Sequence, residues 1–199
     1  MTKFRTAIAA LAFASTAIVA PALLAPAGAA VDASDPQRFV QTLTTDAFAA
    51  ANGDKGQAKA KFRALLAQHV AVDEMGDRLI RRWLPTITPA QRAAYKAALP
   101  TYLVGTYTDN LITYSDATIK VISAQPGNAG MASVITTVQK PGRSPVRAIW
   151  SLMQVGGRWK VSNVTVAGIN VAMAQAADFD SVVQRQGFDA LVRIMRARG

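Results

Sequence analysis

The sequence contains no cysteine among its 199 residues. This absence excludes disulfide bonds, zinc sites with cysteine ligands, thiol nucleophiles and a lipid anchor attached through an N-terminal cysteine. The folded protein must therefore be stabilised by its hydrophobic core alone, and a chain of this length can bury a sizeable one.

Acidic residues number 12, and none of them lies between positions 117 and 177, where the strands are predicted. Small cone-shaped α+β enzymes usually carry an Asp or Glu base on the sheet inside the pocket. The same segment holds only basic charges. An isomerase of that type is the alternative, but the sequence offers neither a pocket carboxylate nor a His–Asp pair, so we predict no catalytic residues and no enzyme.

Histidine occurs once, as His69, on the apolar side of a predicted helix. No acidic cluster surrounds it at ligand spacing, so a core or helix-end histidine is favoured over a metal ligand or a general base. Asp73, Glu74 and Asp77 share a helix face but lack a second ligand set, which favours a solvated face. We predict no metal site and no cofactor.

The N-terminus has the pattern of a secretory signal peptide. Lys3 and Arg5 precede an apolar run over 7–24, and Ala27-Gly28-Ala29 supplies the small residues of a cleavage site after Ala29 or the next alanine. An uncleaved anchor is the alternative, because the run is long enough to span a membrane. Prolines near the site favour cleavage, so we predict a signal peptide over 1–30 and a single domain over 31–199.

The formal net charge of the whole chain is +10. Loss of Lys3 and Arg5 with the signal peptide would leave a mature chain that is still strongly basic. Such a charge suggests an acidic partner, and for an exported protein a phospholipid headgroup or membrane surface is favoured over nucleic acid. The alternative is that the charge only keeps the protein soluble.

Helical signals fill the first part of the mature chain. Asp35-Pro36 predicts a helix start, and apolar residues at helical spacing continue to about Ala51. Further amphipathic helices are predicted up to His69 and from Val72 to Leu84. Thr88-Pro89-Ala90-Gln91 is a capping box, which predicts a long helix ending near position 112.

Strand signals follow over 118–124, 132–139, 146–155 and 158–166. The glycine pair Gly156-Gly157 predicts a hairpin between the last two, and the short turns indicate an antiparallel meander. Helices are predicted over 171–186 and after Gly187. The predicted fold is α+β, with an antiparallel four-stranded sheet, amphipathic helices packed around it and an enclosed apolar cavity.

Several stretches, considered together, resemble the periplasmic phospholipid-binding proteins of the Mla (Ttg2, toluene tolerance) lipid-transport system. Their order and spacing carry the resemblance, which spans nearly the whole mature chain. The stretches are Arg81-Arg82-Trp83-Leu84-Pro85, Thr88-Pro89-Ala90-Gln91-Arg92-Ala93-Ala94-Tyr95, Tyr102-Leu103 with Tyr107, Pro145-Val146-Arg147, Gly157-Arg158-Trp159-Lys160-Val161, Val166-Ala167-Gly168-Ile169-Asn170, and Phe179 ahead of Gly187-Phe188-Asp189-Ala190-Leu191.

The resemblance implies a periplasmic carrier that moves a phospholipid between an outer-membrane lipoprotein complex and an inner-membrane ABC transporter. The chain departs from the family at Asn163 and Ala167, where acids are usual, and at Asn170, where serine is usual. These departures leave open a hopanoid-associated branch of the family. A non-carrier accessory protein that couples envelope complexes is a further alternative. We expect a monomer.

A carrier must enclose the acyl chains of its lipid, because each methylene exposed to water costs about 0.8 kcal/mol. We predict that the enclosing residues are Met75, Leu79, Trp83, Leu99, Leu103, Tyr107, Val146, Trp150, Leu152, Val161 and Val164. Residue by residue, ordinary core packing is the alternative. For the headgroup or membrane contact we predict Arg143, Arg147 and Lys160, whose charge no acid of the sheet opposes.

Overall fold

The structure is a computed structural model that describes residues 31–199. The predicted signal peptide lies outside the described residues. Helices precede and follow one sheet, which confirms the predicted α+β class. In chain order the elements are α1 Pro36–Ala51, α2 Lys55–His69, α3 Val72–Leu79, α4 Pro89–Thr113, β1 Thr118–Pro126, β2 Met131–Gln139, β3 Val146–Val155, β4 Arg158–Val166, β5 Ile169–Asn170, α5 Val171–Gln186 and α6 Phe188–Arg198.

The starts of α1 and α4 are set by the side chains that the sequence indicated. The Asp35 carboxylate accepts hydrogen bonds from the backbone N–H groups of Gln37 and Arg38. At α4 the Thr88 hydroxyl accepts from the Gln91 N–H at 3.2 Å, and the Gln91 amide oxygen accepts from the Thr88 N–H at 3.0 Å. These bonds satisfy N–H groups that have no partner inside the helix.

The sheet is an antiparallel meander in the order β1-β2-β3-β4-β5. The predicted sheet had four strands, and the additional one is short, pairing only Ile169 and Asn170 with the end of β4. Ala167 and Gly168 both have positive φ, 51° and 82°, and so reverse the chain immediately after β4. A turn this tight brings the following residues back beside the strand that they have just left.

One face of the sheet packs against α1. The register sets Ala132 of β2 opposite Leu152 of β3, and Leu152 opposite Val161 of β4, so these side chains share that face. We call the resulting cluster the sheet core. Its buried members are Phe39, Val40, Leu43, Ala132, Val134, Leu152 and Val161.

A second cluster is made by helices α2 to α6 and the turn after α3. Its centre is aromatic: the ring of Tyr95 lies 6.1 Å from Phe179 and 6.0 Å from Phe188, and Tyr102 lies 5.5 Å from Phe179. We call this cluster the helical core. Its buried members are Leu66, Leu79, Ile80, Tyr95, Ala98, Leu99, Tyr102, Leu103, Val104, Phe179, Val183, Phe188, Leu191, Val192 and Met195.

Helix α3 ends earlier than its apolar stripe predicted, at Leu79 rather than Leu84. Ile80 is fully buried and leaves helical geometry, with φ −114° and ψ 17°. The chain then continues in tight turns, in which the Trp83 N–H donates to the Ile80 carbonyl at 2.8 Å. Because such turns also repeat at about three residues, the stripe of apolar side chains did not distinguish them from a helix.

Candidate functional site

The two cores meet at the short connection between α2 and α3. Val70 packs against both cores and forms a parallel bridge with Val161 of β4. The next N–H, that of Ala71, donates to the Val161 carbonyl at 2.9 Å. The edge of the sheet is thus attached to the helices by backbone hydrogen bonding.

A pocket of about 250 Å³ opens at this junction, and we call it the inter-core pocket. Aliphatic side chains from α2, α4 and the α2–α3 connection form most of its lining, while charged side chains stand among them. The lining residues are Arg63, Leu66, Ala67, Val70, Ala71, Val72, Asp73, Glu74, Lys96, Leu99, Pro100, Val104, Val155 and Lys160.

The charges of the inter-core pocket fall into two groups. Lys96 lies 3.5 Å from the Asp73 carboxylate and 3.6 Å from that of Asp77, so these charges compensate one another. Arg63, Glu74 and Lys160 have no oppositely charged partner within 4.0 Å among residues 31–199. The pocket therefore combines an apolar lining with charges that no other described side chain neutralises.

Lys160 and Ala67 also border a second pocket, of about 690 Å³. Basic and polar residues dominate this second pocket, and no acid lines it. Its lining residues are Val31, Ala33, Ser34, Ala67, Gln68, His69, Arg158, Trp159 and Lys160.

His69 is the last residue of α2 and is half-buried, with its ring 6.0 Å from that of Phe39. Burial lowers the pKa of His69 below its usual value, and the neighbouring Lys160 and Arg158 lower it further, against an opposing effect of Asp46. Burial and the nearby cations therefore favour the neutral imidazole over the charged form.

The predicted lining residues on the helices all belong to the helical core or pack against it. Leu79, Leu99 and Leu103 are buried there, and Leu99 also lines the inter-core pocket. The larger members stand at the boundary of the core and are half-buried. These are Met75, Trp83 and Tyr107.

Two of these boundary side chains have their polar atoms satisfied within the fold. The Trp83 indole N–H donates to the Asp180 carboxylate at 2.6 Å. The Tyr107 hydroxyl lies 3.1 Å from the amide oxygen of Gln175, and burial raises the pKa of Tyr107. Both residues can thus offer ring surface to a neighbour without leaving a polar atom unpaired.

The predicted lining residues on the sheet lie on the face that α1 covers. Leu152 and Val161 are buried in the sheet core, whereas Trp150 and Val164 are half-buried against it. Val146 is half-buried at the start of β3. The structure therefore distributes the predicted set over both cores, instead of bringing it together around one closed cavity.

The predicted headgroup residues are also separated. Lys160 borders both pockets, but Arg143 lies exposed in the turn between β2 and β3. Arg147 is exposed on β3. No sequence pattern distinguishes Arg63 from the other basic residues, and the pattern around Glu74 indicated only a solvated helix face. A charged residue next to an apolar stripe was the available signal, but it is common to most amphipathic helices.

The asparagines that depart from the resembled family both support the start of α5. The Asn163 amide oxygen accepts from the Ala172 N–H at 3.1 Å, and that of Asn170 accepts from the Met173 N–H at 3.0 Å. A carboxylate oxygen would accept the same bonds. At position 163, where the resembled family usually has an acid, asparagine therefore removes a negative charge and keeps the hydrogen bond, whereas at position 170, where serine is usual, the charge is unchanged.

No helix within residues 31–199 is long and apolar enough to cross a membrane.

An apolar pocket with a few charged groups, set between a helical core and a sheet core, defines an α+β protein of the ligand-binding type. The chain belongs to the MlaC protein family, whose model matches residues 37–197. This confirms the resemblance that the sequence motifs indicated.

Individual relatives agree with this assignment. The chain is 27% identical over 167 residues to the toluene tolerance protein ttg2D of Pseudomonas putida, covering 80% of this chain and 78% of that protein. A phospholipid-binding protein from Ralstonia solanacearum, solved in complex with a phospholipid, superposes with a TM-score of 0.68. It is 22% identical, and the match covers 82% of this chain and 96% of that one, which shows that the fold is shared.

Proposed function

We propose that the protein is a periplasmic phospholipid carrier without catalytic activity. Membership of the MlaC family supports this function, as does the shared fold with a protein solved with a phospholipid. The structural observation that carries the proposal is the inter-core pocket, because its aliphatic lining suits an acyl chain and its charges suit a polar headgroup.

Enclosure of the acyl chains is the physical task of such a carrier. A chain of ~14 methylenes exposed to water costs on the order of 11 kcal/mol. In this proposal the acyl chains enter through the inter-core pocket and lie between the two cores. They contact Leu99, Leu103 and Tyr107 on the helical side and Trp150, Leu152 and Val164 on the sheet side. The half-buried members of this set supply apolar surface that the ligand would cover.

The proposal also includes transport of the bound lipid between two membranes. We infer that the protein is exported by a cleaved signal peptide and carries lipid between an outer-membrane lipoprotein complex and an inner-membrane ABC transporter. The family supports both partners. The excess of basic residues supports docking on acidic surfaces of either partner or of the membrane.

The decisive experiment is native mass spectrometry with organic extraction of the mature protein, purified from its own periplasm without detergent. We expect a diacyl phospholipid at about one per protein. A bound hopanoid would instead assign the chain to the hopanoid-associated branch. Protein that is empty, and that also takes up no fluorescent phospholipid, would contradict the carrier function and favour an accessory protein.

A further inference from the structure

We propose that the mouth of the inter-core pocket recognises a zwitterionic phospholipid headgroup, in which Arg63 and Lys160 bind the phosphate and Glu74 binds the ammonium. This inference deepens the proposed carrier function and depends on it. It assigns a ligand class to charged residues that the fold itself leaves without partners.

The charged side chains of this mouth come from separate elements of the chain. Arg63 lies on α2, Glu74 on the first turn of α3, and Lys160 on β4, yet all of them line the same pocket. A single solvated helix face would not explain this convergence, because it involves helices of one core and a strand of the other.

The other charged side chains near the mouth of the pocket already have oppositely charged partners within the fold. Asp77 accepts a hydrogen bond from the Arg92 guanidinium at 2.7 Å, and Lys96 lies within 3.6 Å of both Asp77 and Asp73. These ion pairs bind α3 to α4 and require no ligand. In residues 31–199 no such partner lies within 4.0 Å of Arg63, Glu74 or Lys160.

The signs of these uncompensated charges select the class of ligand. Arg63 offers a planar guanidinium that can bind two phosphate oxygens at once, and Lys160 adds an ammonium point charge. A purely anionic headgroup would satisfy these cations but would leave the Glu74 carboxylate beside another negative charge. A headgroup with both phosphate and ammonium pairs every one of the charges, as phosphatidylethanolamine does.

The inter-core pocket also differs from the neighbouring second pocket in this respect. The second pocket contains Arg158, Lys160 and His69 and no acid, so it offers nothing to an ammonium group. Lys160 borders both pockets, so the phosphate that it binds lies between the two pockets. Glu74 is thus the residue that distinguishes a zwitterionic from an anionic ligand.

The test is competitive loading from vesicles of equal parts phosphatidylethanolamine and phosphatidylglycerol, followed by extraction and mass spectrometry of the bound lipid. For the unmodified protein we expect about fivefold enrichment of phosphatidylethanolamine over the vesicle ratio, the effect of one charge-assisted contact. Glu74→Gln should return the ratio to that of the vesicles. Asp178→Asn, which removes an exposed acid on α5, should retain the enrichment.

A second variant keeps the test informative if Glu74→Gln folds poorly. Because both lipids carry a phosphate, Arg63→Gln should lower the total amount of bound lipid by about fivefold and leave the ratio unchanged. Thermal unfolding of each variant identifies any that has lost its fold.

The possible failures are distinguishable. Bound lipid at the vesicle ratio, unaffected by Glu74→Gln, would overturn the headgroup inference while the carrier function stands. No bound lipid in any variant would overturn the carrier function itself. A separate titration with phosphoethanolamine should show no binding up to about millimolar concentration, since the acyl chains supply most of the affinity. Saturable binding of this soluble compound that blocks lipid loading would make a free amine phosphate the ligand.

Discussion

The aromatic centre of the helical core is more completely covered than the two tryptophans that pack against the sheet core. Tyr95 is 0% exposed, and Phe179 and Phe188 are nearly as well covered, so the centre of the helical core is closed. Trp150 and Trp159 pack against the sheet core and remain half-buried. The sheet core also has a fully buried aromatic, Phe39, so the difference lies at its boundary, where Trp150 and Trp159 keep apolar surface that no other described residue covers completely.

The largest effect on stability is expected from Tyr95→Ala. This change empties the centre of the helical core and removes the hydroxyl that donates to the Gly76 carbonyl at 2.9 Å. We expect the free energy of unfolding to fall by about 3–5 kcal/mol, measured by urea denaturation of lipid-free protein. Tyr114→Ala, at a tyrosine that is 38% exposed, is the control and should change it by less than about 1 kcal/mol. Similar losses for the two variants would refute the closed helical core.

Trp150→Ala should have a smaller effect on stability and a larger effect on lipid. We expect a loss of about 2 kcal/mol in lipid-free protein, because the side chain is only half-buried. The rise in melting temperature caused by added phospholipid should shrink, since Trp150 supplies part of the ligand surface. Met131→Ala, at a residue 52% exposed on the opposite face of the sheet, is the control. An unchanged response of Trp150→Ala to lipid would argue that its ring is ordinary core.

Acidification should weaken the junction between the cores through His69. Its folded-state pKa lies below the usual 6.5, so between the two values the unfolded chain binds more protons than the folded one. Stability should therefore be fully present above about pH 6.5 and fall as the pH drops below that value. The difference in unfolding free energy between about pH 8 and pH 5.5 should be smaller in His69→Gln. Equal pH dependence in both proteins would contradict this role.

The smallest effect is expected from an ion pair at the surface. Lys55 of α2 and Asp109 of α4 lie 2.7 Å apart, but both side chains are more than half exposed. Lys55→Ala should change the free energy of unfolding by no more than about 0.5 kcal/mol, and the change should vanish at high salt. A loss above about 1 kcal/mol would show that this link between the helices matters more than its exposure indicates.

Local signals in the sequence predicted most of the elements. The capping box at Thr88 set the start of α4, and Gly156 and Gly157, both with positive φ, form the predicted turn between β3 and β4. The end of α3 and the strand β5 were not predicted, because each depends on tertiary packing or on an unusual backbone turn rather than on periodicity.

The candidate site was harder to predict from the sequence than the helices and strands were. Periodicity identified Leu79, Leu99, Leu152 and Val161 as buried, but it could not assign them to separate cores. The pocket depends on where α2, α3, α4 and β4 meet, and no local pattern encodes that meeting. In the sequence Arg63 is one of many basic residues, and only the fold places it in the lining of the same pocket as Lys160.

The connection between α2 and α3 has a further consequence for how copies of the chain meet one another. Strand β4 is covered by β5 only at Thr165 and Val166, so most of that side of the strand has no strand neighbour. Unpaired strand edges invite pairing with a second molecule, which leads to aggregation. The bridge from Val70 and the hydrogen bond from Ala71 occupy this edge at Val161. The same two residues that join the cores therefore also occupy part of a strand edge that could otherwise pair with a second molecule.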